Sequence, residues 1–142
     1  MIEFSVAGEP ISQGSKRVVP AGGKPGGRPH TIESNEKRLR PWRSVLADAA
    51  REQAMFHGIV PAPTPVRLQM EFVLRRPQAV PKGRRGWPTT KPDLDKLIRA
   101  VQDSLRAVLY EDDSQVVAYG NTRKVYALDG WTGVRIRLEE VK

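Results

Sequence analysis

The chain has 142 residues and carries 24 Lys and Arg against 16 Asp and Glu, a net charge of +8. This length suits one domain with a modest core, and the absence of cysteine excludes disulfides, thiolate catalysis and Cys-built metal sites. No apolar run approaches the ~18 to 20 residues that cross a bilayer, and the N-terminus lacks a signal-peptide pattern. We therefore expect a cytoplasmic protein with no membrane partner, whose positive charge favours nucleic acid.

The first half of the chain contains one predicted strand, one loop and one helix. Residues 2–7 alternate apolar and polar side chains, the period of a half-buried strand. Residues 8–32 are rich in Gly, Pro, Lys and Arg without apolar periodicity, which predicts a long loop. Residues 36–57 carry apolar side chains at i, i+3 and i+4 spacing and predict an amphipathic helix that ends at Gly58. Pro41 predicts a kink or a late start of this helix.

The second half contains three predicted strands and the clearest helix. Residues 66–74 alternate as a strand, and residues 75–91 form a second basic stretch without any acidic residue. Residues 93–108 carry a continuous apolar stripe at helical spacing. Residues 114–125 and 131–141 predict two strands joined by a hairpin-type turn.

The order β-α-β-α-β-β predicts an α+β fold, in which a mixed sheet is covered by two helices. We expect a single small domain over residues 1–142. The basic loops at about 8–32 and 75–91 are predicted to be mobile when nothing is bound, since loops of this length in a small domain are usually functional or disordered.

Two groups of carboxylates stand out in this basic chain, Asp93 with Asp95, and Glu111 to Asp113. Residues two apart in a regular helix point about 200° apart. At the start of a helix, where the first residue is not yet helical, both carboxylates can turn toward one point. On an extended segment Asp112 and Asp113 face opposite sides, so we expect Asp113 to bind directly and Asp112 to be an alternate ligand. This pattern predicts a site for Mg²⁺, which takes oxygen ligands from a few carboxylates, water and substrate phosphate.

The same carboxylates have ordinary structural explanations. An aspartate that opens a helix after Pro92 is a common N-cap, since its oxygen accepts a backbone N–H and its charge suits the helix N-terminus. Glu111 to Asp113 can be a solvated turn. A metal site, by contrast, would activate water and stabilise the leaving oxygen of a phosphodiester, which predicts a nuclease. No organic cofactor is expected, because the chain lacks a P-loop or dinucleotide fingerprint.

Three cations are candidates for contacting the scissile phosphate: Lys96, Arg99 and Lys124. Arg99 follows Asp95 by four residues, so an ordinary helix ion pair worth a few tenths of a kcal/mol is the alternative. Lys124 can equally be a solvated strand residue.

Basic residues of the two loops are expected to bind the phosphate backbone, with an affinity that falls steeply as salt rises. Trp87 either stacks on an unpaired base or packs its loop onto the domain. The expected DNA-binding residues are Lys16, Arg17, Lys24, Arg28, Arg75, Arg76, Lys82, Arg84, Arg85, Trp87 and Lys91.

Residues 91–105 (KPDLDKLIRAVQDSL) and 109–117 (LYEDDSQVV), with an opening motif at 8–14 (GEPISQG), resemble the RusA family of Holliday junction resolvases. The resemblance implies a homodimer, in a bacterial or phage-infected cell, that cuts four-way DNA junctions in pairs of symmetric incisions using Mg²⁺ or Mn²⁺. It places essential aspartates at Asp93, Asp95 and Asp113. The chain departs from the family at Lys96, where Asn is common, and at Arg99, which replaces a catalytic lysine; arginine cannot donate a proton at ordinary pH.

Two other functions remain open from the sequence. The chain can be a non-catalytic basic DNA-binding module whose acids only cap and solubilise. It can also be a metal nuclease that acts on flaps, other branched nucleic acid or RNA.

Overall fold

The fold is described by a computed structural model that covers residues 1–14, 16–19, 30–33, 36–80 and 86–142, with the backbone alone at 16–19 and 30–33. In chain order the elements are β1 (Ile2–Ala7), β2 (Lys16–Val19), β3 (His30–Glu33), α1 (Glu36–His57), β4 (Val66–Leu74), α2 (Leu94–Leu105), β5 (Val116–Tyr119), β6 (Arg123–Tyr126) and β7 (Gly133–Glu140). A 3-10 turn over Asp113–Gln115 leads into β5. Neither helix has the length and apolar character of a membrane span, within these described ranges.

The main sheet is mixed, with β4 at its centre. β7 lies antiparallel between β1 and β4. β5 and β6 both run parallel to β4 along its other edge, β5 beside the first residues of β4 and β6 beside the last. These two strands therefore act as one interrupted edge strand. Counted in that way, the sheet and helices confirm the predicted α+β order and the mixed sheet covered by two helices.

The interruption of the edge strand lies at Gly120–Thr122, where two hydrogen bonds outside the regular strand ladder still join this segment to β4. The Gly120 N–H donates to the Leu68 carbonyl at 2.9 Å, and the Met70 N–H donates to the Thr122 hydroxyl at 3.2 Å. A Cβ on Gly120 would come within 2.8 Å of the Gln69 Cβ. Glycine is required here because the Gln69 side chain leaves no room for a Cβ.

Both helices pack on one face of the sheet. The core joins apolar residues of α1, α2 and every strand of the main sheet except β6, including Leu46, Val101, Leu68 and Ile136. This single cluster follows from the predicted stripes, since each helix buries one apolar side and each strand buries alternate residues. α2 connects β4 to the parallel strands β5 and β6, which places its N-terminus near the end of β4.

The opposite face of the sheet is covered by ion pairs. Glu71 lies between Arg123 and Arg135, with N–O distances of 2.7 and 2.8 Å. Burial by itself raises the pKa of Glu71, but hydrogen bonds and charge from the two arginines outweigh it and hold the pKa below its ordinary value. Arg135 also stacks on the Trp131 ring, 4.8 Å from its centre. These contacts tie β4 to the strands on either side.

Three sequence predictions were wrong in detail. The segment 8–32 is not irregular throughout, because β2 and β3 pair as an antiparallel ladder. The strands β6 and β7 do not form a hairpin, since they lie on opposite sides of β4. The second helix ends at Leu105, not at Val108. The first helix has the predicted bounds, with Pro41 inside it, so no late start occurs.

Candidate functional site

The start of α2 carries the first carboxylate pair. Asp93 has extended backbone angles (φ −71°, ψ 136°) and occupies the N-cap position, yet its side chain makes no capping hydrogen bond. Its backbone carbonyl accepts the Leu97 N–H at 3.0 Å. The capping interpretation is therefore correct in position but wrong about the side chain. Asp93 and Asp95 are both exposed, so both carboxylates face solvent at this end of the helix.

The chain that leads into Asp93 is held by the edge strand β6. The Lys124 ammonium donates to the Thr90 carbonyl at 2.7 Å and to the Pro92 carbonyl at 2.8 Å. Lys124 is half-buried and is not a solvated strand residue. Because the Lys124 ammonium binds the backbone directly before Asp93, it restrains the position of the Asp93 backbone and hence of its carboxylate.

The N-terminal segment packs against the other side of this helix start. The Gln13 N–H donates to the Lys96 carbonyl at 3.0 Å. A cavity of about 440 Å³ lies between the two segments and borders Asp93 and Lys96. The opening motif at 8–14 is thus adjacent to the carboxylates in space, although about 80 residues separate them in sequence.

Two of the three predicted cations lie on α2 itself. The Lys96 ammonium is 3.6 Å from an Asp93 carboxylate oxygen and forms a loose ion pair. The alternative considered for Arg99, an ion pair with Asp95, is not formed among the described residues, in which the ion pair of this helix start joins Lys96 to Asp93. Arg99 is exposed, so its guanidinium remains available to an anion.

The second acidic group is shaped by Gln115. Its side-chain oxygen accepts the N–H groups of Glu111 and Asp112 at 2.8 and 2.7 Å, and its side-chain nitrogen donates to the carbonyls of Ala62 and Thr64. The turn is therefore attached to the connector before β4. Asp112 is exposed and accepts the Ser114 hydroxyl at 3.0 Å.

Asp113, in contrast, turns toward α2. The buried Tyr110 hydroxyl lies 3.0 Å from an Asp113 carboxylate oxygen, to which it donates, and 3.2 Å from the Gln102 carbonyl. Tyr119 donates to the Gln102 side chain. Burial raises the pKa of Tyr110, and the charge of Asp113 raises it further; the pKa of Tyr119 is raised for the same two reasons. Both tyrosines stay neutral donors, which suits a charged carboxylate.

The two acidic groups lie toward opposite ends of α2. Through Tyr110, no more than about 6 Å separates the Asp113 carboxylate from the Gln102 carbonyl. Asp93 lies nine residues before Gln102, a helix rise of about 13 Å. Within the described part of the chain, no three acidic or histidine side chains form a group that could hold a metal. A ligand set of Asp93, Asp95 and Asp113, with Asp112 as alternate, therefore remains a prediction.

The DNA-binding candidates are only partly described. Arg75, Lys91 and Trp87 are exposed. Trp87 as a residue is 64% accessible, so it does not pack its loop onto the domain. Arg76 donates to the Ala127 carbonyl at 2.9 Å. The remaining candidates lie outside the described side chains: Lys16, Arg17, Lys24, Arg28, Lys82, Arg84 and Arg85.

Sequence reasoning missed the residues that position the carboxylates: Gln102, Tyr110, Gln115 and Tyr119. For Gln115 the available sequence signal is its place two residues after Asp113 in the motif Asp-Asp-x-Gln-Val. The partners of the other three depend on contacts between distant segments.

A mixed sheet that presents two exposed carboxylates at a helix start, in a basic chain of the α+β class, suits a protein that acts on nucleic acid. Residues 7–139 match the family described as Endodeoxyribonuclease RusA, and the chain belongs to that family. It is also similar to the uncharacterised protein YqaN of Bacillus subtilis (strain 168), with 32% identity over 126 residues and 82% of each chain covered. The family is one of nucleases, which agrees with the predicted class of enzyme.

Proposed function

We propose that this chain is a Mg²⁺-dependent, structure-selective DNA endonuclease that resolves Holliday junctions by paired, symmetric phosphodiester hydrolysis. Membership of the RusA family supports the substrate and the reaction. The observation that carries the proposal is the Asp93 side chain, which occupies an N-cap position without a capping hydrogen bond. A carboxylate whose oxygens make no capping hydrogen bond can accept an external ligand.

Asp93 and Asp95 are the residues that would hold the cation, together with a DNA phosphate. Their exposure at one helix start suits Mg²⁺, which keeps several waters and uses few protein carboxylates; Mn²⁺ is the expected substitute. Bound there, the metal supplies charge neutralisation and an acidified water. Arg99 would supply a fixed positive charge toward the phosphate, and Lys96, whose ammonium lies 3.6 Å from an Asp93 oxygen, would add a second one beside the carboxylate.

We further propose a homodimer in which Asp113 acts across the two-fold axis. In one chain the Asp113 carboxylate lies near the Gln102 carbonyl, and Gln102 is about 13 Å of helix rise beyond Asp93, whereas ligands of one Mg²⁺ lie at about 2 Å from the metal. An isologous dimer presents two identical sites, which suits the two equivalent strands of a four-way junction. It also offers a second Asp113 to each Asp93 and Asp95 pair.

The deciding experiment compares Asp93→Asn with wild type on three synthetic DNAs: a four-way junction, a flap and a plain duplex. Asp103→Asn, on the same helix, is the matched control. With Mg²⁺, wild type and the control cut the junction in two symmetric places, whereas Asp93→Asn binds the junction but lowers its cleavage at least about 100-fold. Cleavage is absent in EDTA.

Different results point to the other functions. Cutting of flaps in preference to junctions indicates another branched substrate for the same chemistry. Junction binding by wild type with no divalent-dependent cleavage of any DNA indicates a non-catalytic binding module and overturns the proposal.

A further inference from the structure

Trp87 is an exposed aromatic side chain on a segment that is otherwise anchored. The residue before it, Gly86, lies against Tyr126, whose ring is 3.8 Å from the position of a Cβ there. The residue after it, Pro88, is buried. Further along, Lys124 binds the Thr90 and Pro92 carbonyls. Trp87 itself is 64% accessible, so its side chain is exposed on a segment that contacts the domain on both sides.

Isolated exposed apolar residues are common in proteins, so the exposure of Trp87 is informative only through its surroundings. The stretch from Arg75 to Pro92 holds six Lys and Arg and no acidic residue. Trp87 is six residues before Asp93, on the segment that leads into the carboxylate pair. An aromatic face within a basic stretch beside such carboxylates is the arrangement that binds unpaired nucleobases, since every base offers a π-face.

We propose that Trp87 stacks on an unpaired nucleobase at the branch point of the DNA, next to the bond that is cut. This role deepens the proposed function, because it identifies the feature by which a branch is distinguished from a plain duplex. A paired base is already stacked and offers no face to the ring, whereas a base at a branch needs little free energy to unpair and unstack. The anchors on both sides of Trp87 hold the ring ready before DNA arrives.

Binding without divalent cations tests the role separately from cleavage. Fluorescence anisotropy of a labelled four-way junction in EDTA gives the Kd for wild type, Trp87→Ala and Trp87→Phe. Stacking on one base predicts that Trp87→Ala raises Kd about 5- to 100-fold, while Trp87→Phe raises it less than about 5-fold. Phe56→Ala is the matched control, because Phe56 is an equally exposed aromatic, 82% accessible, at the end of α1. It leaves Kd unchanged.

Junctions with one abasic nucleotide at each branch position complete the test. If Trp87 stacks on a particular base, removing that base weakens wild-type binding but leaves the Kd of Trp87→Ala unchanged, because the two changes remove the same contact. Equal Kd values for wild type and Trp87→Ala overturn the proposal, as does purely additive behaviour at every position. If Trp87→Ala does not fold, the abasic series on wild type decides. In that case the proposal is overturned if none of the abasic positions weakens wild-type binding.

The outcome of this binding test does not depend on whether the chain cleaves DNA. A chain that shows Trp87-dependent coupling but no Mg²⁺-dependent cleavage would be a branch-binding module. A chain that cleaves junctions without coupling retains the proposed function and loses only the stacking role.

Discussion

Lys124 binds the carbonyl of Pro92 at 2.8 Å, and so the edge strand β6 fixes the residue before Asp93. The second hydrogen bond, to Thr90, holds the same segment two residues earlier. Two of the three donors of the ammonium group are engaged by the backbone. We therefore expect Lys124 to position Asp93 and not to contact the phosphate, a role that we assign to Arg99 and Lys96 in the proposed reaction.

Replacing Lys124 by Met should leave two carbonyls without their donor and loosen the start of α2. We expect the free energy of unfolding to fall by about 1–2 kcal/mol and kcat for junction cleavage to fall about 10-fold or more, with little change in the Kd for DNA. Lys124→Arg, which retains donors, should recover part of kcat. Lys37→Met, on the exposed side of α1, is the control. A loss of DNA affinity without loss of kcat would instead make Lys124 a phosphate contact.

Tyr110→Phe should remove the hydroxyl that links the Asp113 carboxylate to the Gln102 carbonyl of α2. The lost hydrogen bond lowers the free energy of unfolding by about 1 kcal/mol at neutral pH. The pKa of Tyr110 is raised on folding, so its contribution is complete below the ordinary pKa of 10.0 and is lost as pH rises above it, where the unfolded chain releases the proton first. Urea unfolding between pH 8 and pH 11 should show a shallower alkaline loss for Tyr110→Phe. Tyr126→Phe is the control for the loss of a tyrosine hydroxyl elsewhere in the fold.

Glu71→Gln should weaken the outer face of the sheet. The pKa of Glu71 is lowered on folding, so its ionised form stabilises the protein above its ordinary pKa of 4.5, and this contribution is lost as pH falls through the folded-state value. At pH 7 we expect the variant to be less stable by about 1–2 kcal/mol, with the difference shrinking as pH falls below the ordinary pKa of 4.5. Glu139→Gln is the control, because Glu139 is 3.8 Å from Arg67 and exposed pairs contribute under about 1 kcal/mol.

The parts of the fold that sequence could predict are those governed by local periodicity. The bounds of α1 are correct because its apolar stripe and Gly58 are both local signals. The end of α2 was missed because the stripe continues through Val108, while the helix stops where the Arg106 and Tyr110 backbones pair and Ala107 adopts a positive φ of 65°. Nothing in the apolar spacing records that pairing.

Strand partners were the other source of error. The turn before β7 has the composition of a hairpin, yet β6 takes β4 as its neighbour, because α2 delivers β5 and β6 parallel to that strand. The same reasoning applies to the site. Carboxylates are visible as spacings, but whether Asp93 caps its helix, or Asp113 accepts from Tyr110, depends on contacts between distant segments.

Arg99→Ala should lower cleavage about 100-fold or more, because it removes a charge that opposes the developing negative charge on the phosphate. Arg99 is exposed and forms no ion pair within the described residues, so stability should change by less than about 0.5 kcal/mol. Arg99→Lys should retain at least about a tenth of kcat, since the charge is kept. Arg106→Ala, at the end of the same helix, is the control. Full cleavage activity in Arg99→Ala would show that Arg99 has no role in the reaction.

The separation of Asp93 from Asp113 along α2 leads to a test by subunit mixing. If each site takes Asp93 and Asp95 from one chain and Asp113 from its partner, then Asp93→Asn and Asp113→Asn are inactive alone, but their mixed dimer keeps one intact site. Random exchange makes half of the dimers mixed, so about a quarter of the sites are intact. The product should be a junction nicked in one strand, because the other site of the same dimer lacks two carboxylates.

Mixing Asp93→Asn with Asp95→Asn provides the control for this test. Both changes then lie on the same side of the shared site, so every site in every dimer lacks a carboxylate and no activity should return. Recovery in the first mixture alone establishes a site built from two chains, and it explains how Asp93 and Asp113 can serve one cation although they lie toward opposite ends of α2 in each chain. If the first mixture stays as inactive as its components in a sample shown to exchange subunits, Asp113 acts within its own chain. The turn at 112–115 must in that case move toward the start of α2 when DNA binds, which would break the Tyr110 hydrogen bond.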